Sequence, residues 1–516
     1  MKDPSFPSPD LATGYARARP RRRLIQTAVL AVLSAMLIQF TLSPTSKASY
    51  FWSNVKNLHR PLQYHGQHIR SNFFEGWYFK IVKPGLTKDD PTIGMALIPG
   101  IYRPPSPRSP LSEPSQNGGV DKGEDSRAHA FVMILGLPGT QKSAYYRFPI
   151  KEFVDLGSQE PGQERAFRVR IGQSVFAHDG IVLNLPKDRF EQVPEEELEA
   201  FYTEASQQYE RQYRATVEDD HPVSDFRAMF PSQKDLKALA SLEPFAVKGQ
   251  FRFSAGLQTP LPTSRLYPSI MGFTAYLPFL ECNHGVASLH HPIEDGLISV
   301  VTASGAITES VFDGGVGYTE KDWGINFPST WIWGQTNIFE KAPGSSLLLS
   351  VASIPVLGPD VSEWVSTHLP ILSSLTNVPG LLLVYYHAST KTMYNFSSYI
   401  FAARLENLKV TMDIERRLQT VSFTAVTKDP QNGQETVALQ VQMTREIGTG
   451  VPLRAPSRSQ RRMATAVEET IIANTKMKLW RMGSGEIIVE DEGQGSGLEV
   501  VGDIGWLERR FLVSSL

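Results

Sequence analysis

Cysteine is almost absent from this sequence. Its 516 residues include one cysteine, Cys282, which excludes an internal disulfide and a cysteine-rich metal site. A dominant charge is also lacking, because 51 Lys and Arg residues face 53 Asp and Glu residues, for a formal net charge of -2. This balance gives no reason to expect nucleic acid or another polyanion as a partner. The length alone predicts roughly two to four domains held by hydrophobic cores.

The common catalytic signatures are missing as well. The sequence contains no HExxH, no GxSxG and no Walker-type phosphate-binding motif, and strand-like segments do not alternate with helical ones as in a dinucleotide-binding fold. The eleven histidines show no spacing typical of a metal site. His65 and His68, and the adjacent pair His290 and His291, are best interpreted as hydrogen-bonded side chains. We therefore predict neither a metal nor a cofactor.

One long apolar run is present, close to the N-terminus. Residues 24–42 (LIQTAVLAVLSAMLIQFTL) are nearly uncharged, and about 20 such residues span a bilayer. Five arginines lie in residues 17–23, whereas only Lys47 follows soon after the run. This asymmetry predicts a cytosolic tail (1–23), a type II transmembrane signal anchor (24–42) and a linker (43–60). A cleaved signal peptide and an organelle presequence are alternatives, and the membrane concerned, plastid or other, stays open.

Beyond the linker, the pattern is dominated by alternation of apolar and polar residues. In VALQVQMTR (437–445), Leu439, Val441 and Met443 share one face, and FRVRIG (167–172) alternates in the same way. Tight-turn signals separate such segments, at Asn432-Gly433, Asp179-Gly180 and Asp313-Gly314. The bulk of the chain is therefore predicted to be antiparallel β structure, most naturally two closed or nearly closed sheets.

Three segments interrupt this pattern. Residues 101–127 are rich in Pro, Ser and Gly and predict a surface loop. Residues 194–214 carry apolar and aromatic side chains at helical spacing on a charged background, which predicts an amphipathic helix inserted into a β domain. The glycine-rich stretch 493–497 (GQGSG) is interpreted as a turn followed by another strand, not as a phosphate-binding loop.

Aromatic side chains and carboxylates are concentrated in a few short segments. Residues 318–340 hold three of the eight tryptophans. The combination recurs in FFEGWYF, in YLPFLECNHG and in YTEKDWG, with the acidic residues Glu75, Glu281, Glu320 and Asp322. A carboxyl group in apolar surroundings has a raised pKa and can donate a proton near neutral pH, while aromatic faces attract cations. The pattern suits protonation of an alkene; ordinary core packing is the alternative.

At these same residues the sequence resembles the tocopherol cyclase family. The resemblance is carried by the following segments, in family order from about residue 61 to the C-terminus: YHGQHIRSNFFEGWYFKI (64–81), YPSIMGFTAYLPFLECNHGVASLHH (267–291), YTEKDWGINFPSTWIWGQTNIF (318–339), GVPLRAPS (450–457), MATAVEET and TKMKLW. It implies a mainly β fold of two lipocalin-like antiparallel β-barrel or sandwich domains, expected at 61–266, with the loop and the helical insert, and at 267–516.

The resemblance also implies an activity, the cofactor-free cyclisation of a prenylated hydroquinone, such as a phytyl hydroquinone, to a chromanol in vitamin E-type biosynthesis. Such an isomerase protonates the double bond nearest the ring, and the phenolic oxygen captures the tertiary cation. A dry cavity holds that oxygen near the cation and excludes water. The partners expected are this membrane lipid and, through the N-terminal anchor, the membrane itself.

The site residues follow from these motifs. Glu320 is the expected proton donor, with Asp322 as the second candidate for that role. Tyr318, His284 and His291 are expected to accept the phenolic proton or to orient the ring. The expected substrate-binding residues, as cavity walls and neighbouring carboxylates, are Glu75, Trp77, Glu281, Trp323, Trp331 and Trp333.

Two other functions fit the same motifs. A non-catalytic lipocalin-like carrier would bind isoprenoid lipids without turnover, and a carotenoid-type hydratase would add water to the protonated alkene. Because each needs the same apolar cavity, the sequence alone does not separate them. The exact quinol, the saturation of its tail and the oligomeric state are likewise left open by the sequence.

Overall fold

The computed structural model of this chain describes residues 57–85, 91–105, 127–137, 142–157, 167–215, 226–253, 268–277, 280–355, 377–400, 403–457 and 459–512. The predicted tail, signal anchor and most of the linker lie outside these ranges, as does most of the predicted loop at 101–127. Within them, every helix is too short or too polar to cross a membrane.

Antiparallel strands dominate the described residues, as the alternation predicts, and the first sheet is built from 12 of them in the order β4-β3-β2-β1-β12-β10-β9-β8-β7-β6-β5, with β11 pairing β10 as well. Its strands are β1 (Phe73–Lys83), β2 (Ile93–Arg103), β3 (His129–Leu137), β4 (Lys142–Pro149), β5 (Phe153–Asp155), β6 (Arg168–Ile171), β7 (Ser174–Ala177), β8 (Gly180–Leu185), β9 (Ala246–Phe253), β10 (Cys282–Val301), β11 (Ile307–Val311) and β12 (Val316–Gly324).

The second sheet contains 10 strands in the order β16-β15-β14-β13-β22-β21-β19-β18-β17, with β20 also pairing β21. Its strands are β13 (Trp331–Thr336), β14 (Ser346–Pro355), β15 (Asn377–His387), β16 (Thr392–Asn395), β17 (Arg404–Asp413), β18 (Leu418–Lys428), β19 (Thr436–Glu446), β20 (Val451–Ser457), β21 (Arg462–Arg481) and β22 (Ile487–Val501).

The two sheets do not divide at residue 267, where the sequence analysis places the domain boundary. Strands β10 and β12 belong to the first sheet, because β12 pairs with β1 on one side and with β10 on the other. The chain passes to the second sheet between Gly324 and Trp331. The motif at 267–291 therefore belongs to the sheet that begins at residue 73.

Three α-helices accompany the sheets in the described ranges. Helix α1 (Glu195–Arg214) confirms the predicted helical insert, and the three glutamates of its first turn suit the helix dipole. Helix α2 (Gln233–Ala240) begins at a capping box formed by Ser232 and Asp235. Helix α3 (Ile504–Phe511) follows β22, and the Asp503 side chain accepts from Trp506 N at its start. Short 3₁₀ helices lie at Gly66–His68, Ile150–Glu152, Lys187–Arg189, Phe226–Met229 and Gly272–Tyr276.

The predicted alternation is confirmed in both sheets. Leu439, Val441 and Met443 are fully buried in β19 while the intervening residues are partly exposed, and Phe167, Val169 and Ile171 are buried in the same way. The predicted turn at 493–497 is wrong, because this stretch lies inside β22. Gly495 has a φ of 59° where the pairing of β22 with β21 is irregular, so the glycine permits a bulge in a continuous strand.

One hydrophobic core is continuous between the two sheets. Phe79 and Leu97 of the first sheet belong to the same cluster of buried side chains as Trp333, Leu348 and Leu453 of the second. A separate core fills the second sheet, and a third packs helix α1 against α2. The residues between the sheets are therefore shielded from water, which sets the electrostatics of every polar group placed there.

Candidate active site

Strand pairing brings most of the predicted catalytic residues onto one face of the first sheet. Glu320 of β12 lies directly opposite Tyr78 of β1, and Tyr318 lies opposite Lys80. On the other side of β12, His284 of β10 is the partner of Asp322. Paired residues of neighbouring strands point to the same face, and alternate residues along a strand do so too. These six side chains therefore share one face.

The second sheet adds groups to this face. The Trp333 indole Nε1 donates to Glu320 Oε2 over 3.3 Å, and the Tyr78 hydroxyl donates to Glu469 of β21. Glu469 is the strand partner of Glu499 in β22, whose Oε2 accepts from Trp331 Nε1 at 2.6 Å. The site therefore lies where the two sheets meet. We call Glu320, Glu469 and Glu499 the carboxyl cluster.

The buried surroundings of Glu320 raise its affinity for a proton. Its Oε2 accepts hydrogen bonds from Tyr318 and Trp333, and its side chain is only 6% exposed. Burial raises its pKa to about 7; the Asp322 carboxylate adds to this rise, and the nearby His284 imidazole opposes it. A substantial fraction of Glu320 is therefore protonated at neutral pH, as a general acid requires.

The other two members of the cluster are also shifted towards their neutral forms. Burial, followed by repulsion from Glu499, raises the pKa of Glu469 well above its usual range. Burial likewise raises the pKa of Glu499 to about 7; the Trp331 hydrogen bond lowers it, and repulsion from Glu320 adds to the rise. Three neighbouring carboxyls cannot all ionise in a shielded site. The cluster is thus a shared store of protons.

His284 and Asp322 form an ion pair at the edge of the cluster. His284 Nδ1 lies 2.9 Å from Asp322 Oδ1, and its Nε2 lies 3.5 Å from Glu320 Oε2. Burial lowers the pKa of His284, but attraction to Glu320 and Asp322 outweighs burial and raises the pKa to about 9. The imidazolium form prevails at neutral pH. Its proton is available to Glu320. His284 is therefore better suited to reprotonating Glu320 than to accepting a phenolic proton, because its resting form is already protonated.

Lys80 is a buried base that the sequence analysis missed. Its Nζ donates to Gln335 Oε1 at 2.7 Å, and its side chain is fully buried. Burial lowers its pKa to about 7, although attraction to Glu469 and Glu320 opposes the shift. Tyr78, Glu469 and Glu499 were missed as well. The sequence held signals for some of them. Lys80 is the lone lysine within a strand segment rich in aromatic residues, and Glu469 and Glu499 are glutamates within segments with the apolar pattern of strands.

Three of the predicted substrate-binding residues point to the opposite face of β1 and β12. Glu75 forms a buried ion pair with Lys321 and accepts from the backbone amides of His65 and Gly66 at 3.0–3.2 Å. The Lys321 ammonium lies 4.8 Å from the ring centre of Trp77 and 5.1 Å from that of Trp323. Because strand residues alternate, Glu75, Trp77 and Trp323 do not join Trp331 and Trp333 in walling one cavity; they form an ion-pair clamp instead.

The remaining predicted residues lie around the site. His291 pairs with Gly317, and its ring packs 4.5 Å from that of Phe253, on the face away from Glu320. Burial lowers the pKa of His291 to about 3, so this imidazole is neutral. Glu281 immediately precedes β10, and its backbone carbonyl accepts from Ile325 N at 2.8 Å. It lies at the end of the strand that carries His284.

One group of described residues has a composition that could hold a metal ion. His284, Glu320 and Asp322 each place one ligand atom within 4.8 Å of the others. Some of the possible ligand atoms are already engaged, since Glu320 Oε2 accepts from Tyr318 and Trp333 and His284 Nδ1 bonds Asp322, whereas His284 Nε2 has no hydrogen-bond partner among the described residues. A metal bound through Glu320 Oε2 would have to displace the hydrogen bonds from Tyr318 and Trp333, so this oxygen suits proton transfer better than metal binding.

Comparison with known proteins confirms the resemblance seen in the sequence. The model of the tocopherol cyclase-like family matches residues 260–364, which include β10, β12 and β13. A protein described as a probable chloroplastic tocopherol cyclase from Oryza sativa subsp. japonica is 23% identical over 205 residues, or 37% of this chain. That match spans 34% of the relative, about a third of its length.

A solved structure is also similar. It is that of a candidate AttH protein from Nitrosomonas europaea, which covers 83% of this chain and 92% of its own, with 10% identity and a TM-score of 0.31.

Proposed function

We propose that this protein is a tocopherol cyclase-like isomerase that closes a prenylated hydroquinone to a chromanol by proton transfer. The observation that carries the proposal is the placement of Glu320. Its pKa of about 7 makes it a proton donor at neutral pH, and it is bordered by the aromatic rings of Tyr318 and Trp333.

Glu320 starts the reaction. Its O–H bond breaks as a new C–H bond forms at the less substituted carbon of the double bond, leaving a tertiary cation and the Glu320 carboxylate. The rings of Trp333 and Tyr78 pack edge to face with their centres 5.4 Å apart, and Tyr318 lies beside them. Aromatic faces attract a cation, most strongly where water is excluded. These rings lower the energy of the cation while it lasts.

Ring closure returns the proton. The phenolic oxygen forms a C–O bond to the cationic carbon and loses its proton to a carboxylate of the cluster, so substrate and product are isomers. Holding the oxygen near the cation converts an otherwise improbable encounter into an intramolecular step. When the phenolic proton reaches Glu499 instead, the His284 imidazolium, 3.5 Å from Glu320, restores the Glu320 proton, and proton exchange with solvent returns His284 and Glu499 to their starting states.

Access to the acid comes from the side of the His284–Asp322 pair. The His284 and Asp322 side chains are 12% and 21% exposed, whereas Glu469 is fully buried. We propose that the substrate approaches Glu320 and Glu499 from this side, and that Glu469 acts from behind them as a proton reserve. We further propose that the two sheets form lipocalin-like barrels and that residues 24–42 anchor the protein in the membrane that supplies the lipid.

The product of the reaction tests this proposal. The full chain in detergent is incubated with a phytyl hydroquinone under reducing conditions, and the products are resolved by mass and retention time. A chromanol isobaric with the substrate is expected. Unchanged quinol that co-purifies with the protein would indicate a carrier, and a product heavier by one water would indicate a hydratase. Either result would contradict the proposed cyclase activity.

A further inference from the structure

Lys80 is a buried titratable group that the proposed reaction does not use. It follows Tyr78 by two residues in β1, so the two side chains share the face that carries the carboxyl cluster. Its side chain is fully buried. Removing an ammonium group from water is costly, and buried lysines are therefore rare unless other groups compensate for the loss of hydration. The groups around Lys80 show where that compensation comes from.

The Lys80 amine is held from the second sheet. Its Nζ donates to the side-chain oxygen of Gln335, Oε1, over 2.7 Å and lies 3.4 Å from the backbone oxygen of the same residue. Gln335 is fully buried in β13, two residues after Trp333, whose indole bonds Glu320. Both oxygens belong to neutral groups. They fix the position of the amine without balancing its charge.

The charges that face Lys80 belong to the carboxyl cluster. Glu469 of β21 and Glu320 of β12 attract its ammonium form and oppose the effect of burial, which lowers its pKa to about 7. Tyr78 and Tyr318 are neutral, because burial raises their pKa values well above the usual range. The residue paired with Lys80 on the β2 side is an alanine. The ammonium form prevails below pH 7, and its charge acts on Glu320 and Glu469.

The remaining charged groups of this face lie further along the strands. Glu499 is the strand partner of Glu469, and Asp322 follows Glu320 by two residues and pairs with His284. The His284 imidazolium lies 3.5 Å from Glu320 at the exposed edge of the site. Glu320 is therefore faced by two cations, His284 from the edge and Lys80 from the interior.

A positive charge facing Glu320 matters when this residue gives up its proton. Protonation of an alkene leaves Glu320 as a carboxylate in a shielded site, where an isolated negative charge is costly. A nearby cation favours the carboxylate and so makes the acid stronger. Alkenes are weak bases, so the strength of the acid bears directly on the rate of this step.

We infer that Lys80 is a positioning residue whose ammonium group, anchored by Gln335, stabilises the Glu320 carboxylate that forms as the alkene is protonated. Lys80 keeps its own proton during this step and does not contact the substrate. Because it acts through Glu320, the inference rests on the proposed function. It assigns a role in the reaction to a contact between the two sheets.

Four variants separate the charge of Lys80 from its packing. Lys80→Met keeps the length of the side chain and removes the charge, and apolar residues often replace buried ionic groups without loss of stability. Lys80→Arg keeps the charge. Gln335→Glu leaves Lys80 in place and balances its charge with an adjacent carboxylate. The matched control is Glu75→Gln/Lys321→Met, which removes a buried lysine and its partner from the opposite face of β1 and β12.

Profiles of kcat against pH measure the effect of the charge. In Lys80→Met the alkaline limb should move to higher pH by about one unit, because Glu320 then holds its proton more tightly. At pH 5.5, kcat should fall by about three- to tenfold with KM unchanged, because a weaker acid transfers its proton more slowly. Gln335→Glu should behave in the same way.

The charge-retaining variants should behave differently. Lys80→Arg and the control should leave the alkaline limb no higher than in the wild type, whereas a merely structural role of Lys80 would not move the limb in any variant. An unmoved limb in Lys80→Met, or in Gln335→Glu if Lys80→Met does not fold, overturns the inference.

Infrared spectroscopy tests the same coupling without turnover. Ordinary carboxyls are ionised at pH 6, so the C=O bands lost between pH 6 and pH 9 come from carboxyls with raised pKa values. The band missing in Glu320→Gln belongs to Glu320, and its midpoint should lie about one pH unit higher in Lys80→Met. If the wild type forms no chromanol, the proposed function fails, while this titration still decides whether Lys80 acts on Glu320. Equal midpoints would overturn the inference.

Discussion

Tyr78 lies directly opposite Glu320 on the neighbouring strand, yet its hydroxyl donates to Glu469 of the other sheet. One side chain thus packs beside the proposed acid and bonds the fully buried glutamate behind it. Both carboxyls have raised pKa values because burial disfavours their charged forms. The protonation state of the carboxyl cluster therefore depends on groups from both sheets, and substitutions in either sheet should alter it.

Replacing the proposed acid should remove turnover with little effect on the fold. Glu320→Gln keeps the size and the acceptor oxygen that bonds Tyr318 and Trp333 but cannot donate an acidic proton. General acid catalysis typically contributes about 10²–10⁴-fold, so kcat for chromanol formation should fall by that factor while KM changes little. Glu492→Gln, at an exposed residue of β22, is the control. Chromanol formation by a folded Glu320→Gln protein within tenfold of the wild-type rate would refute the assignment.

The rate should fall as the pH rises above neutrality. The acid must be protonated, and Glu320 has a pKa of about 7, so its active fraction is nearly complete at pH 5 and declines about tenfold per pH unit well above 7. Because Glu320 and Glu499 repel each other, Glu499→Gln should move this alkaline limb to lower pH. Profiles of kcat against pH for both proteins measure the shift, and coincident profiles would show that the cluster is not coupled.

The same raised pKa values should make stability depend on pH. Glu499 shifts from an ordinary pKa of 4.5 to about 7 in the fold, so its favourable contribution is fully present below pH 4.5 and is lost as the pH rises through 7. This rise of the pKa from 4.5 to about 7 corresponds to about 3 kcal/mol. Urea unfolding at pH 5 and pH 8 should show a smaller loss for Glu499→Gln than for the wild type. Equal losses would place the titration elsewhere.

The buried pair on the opposite face should be structural. Glu75→Gln leaves the Lys321 ammonium without its carboxylate in a fully buried position, and breaking such a pair costs about 3–5 kcal/mol. The double variant Glu75→Gln/Lys321→Met should recover part of this loss. Chemical denaturation measures both. If the clamp has no part in the reaction, the pH dependence of kcat in any folded variant should match the wild type, whereas a shifted alkaline limb would place Glu75 in the catalytic site.

Chelation should leave the activity intact. The ligand atoms of His284, Glu320 and Asp322 are close enough for a metal, but His284 Nδ1, Asp322 Oδ1 and Glu320 Oε2 are engaged in hydrogen bonds that support proton transfer. Prolonged dialysis against EDTA should therefore leave the rate of chromanol formation unchanged, within an assay reproducibility of about twofold. Loss of activity that Zn²⁺ or Mn²⁺ restores would assign these residues to a metal centre.

Local sequence patterns predicted the strands, the helical insert and part of the site. Tyr318, Glu320 and Asp322 alternate along one strand, so their shared face could be read from β12 alone. Glu469 and Glu499 could not be found in this way, because they reach the site through a second sheet whose position depends on pairings across the whole chain. Trp323 was misplaced although the same alternation puts it on the opposite face of β12 from Glu320. Glu75 was misplaced because its face is fixed by pairing with Trp323, far along the chain.

The place of β12 between β1 and β10 also bears on how the protein is made. One edge of β1, an 11-residue strand rich in aromatic residues, is paired only by residues 316–324, more than 200 residues further along the chain. At about 5–20 residues per second, translation leaves this edge without its partner for roughly 10–50 s. Unpaired apolar edges invite association with other chains. Chaperone supply during synthesis should therefore limit the yield of folded protein, and chains that end at residue 266 should accumulate as aggregates.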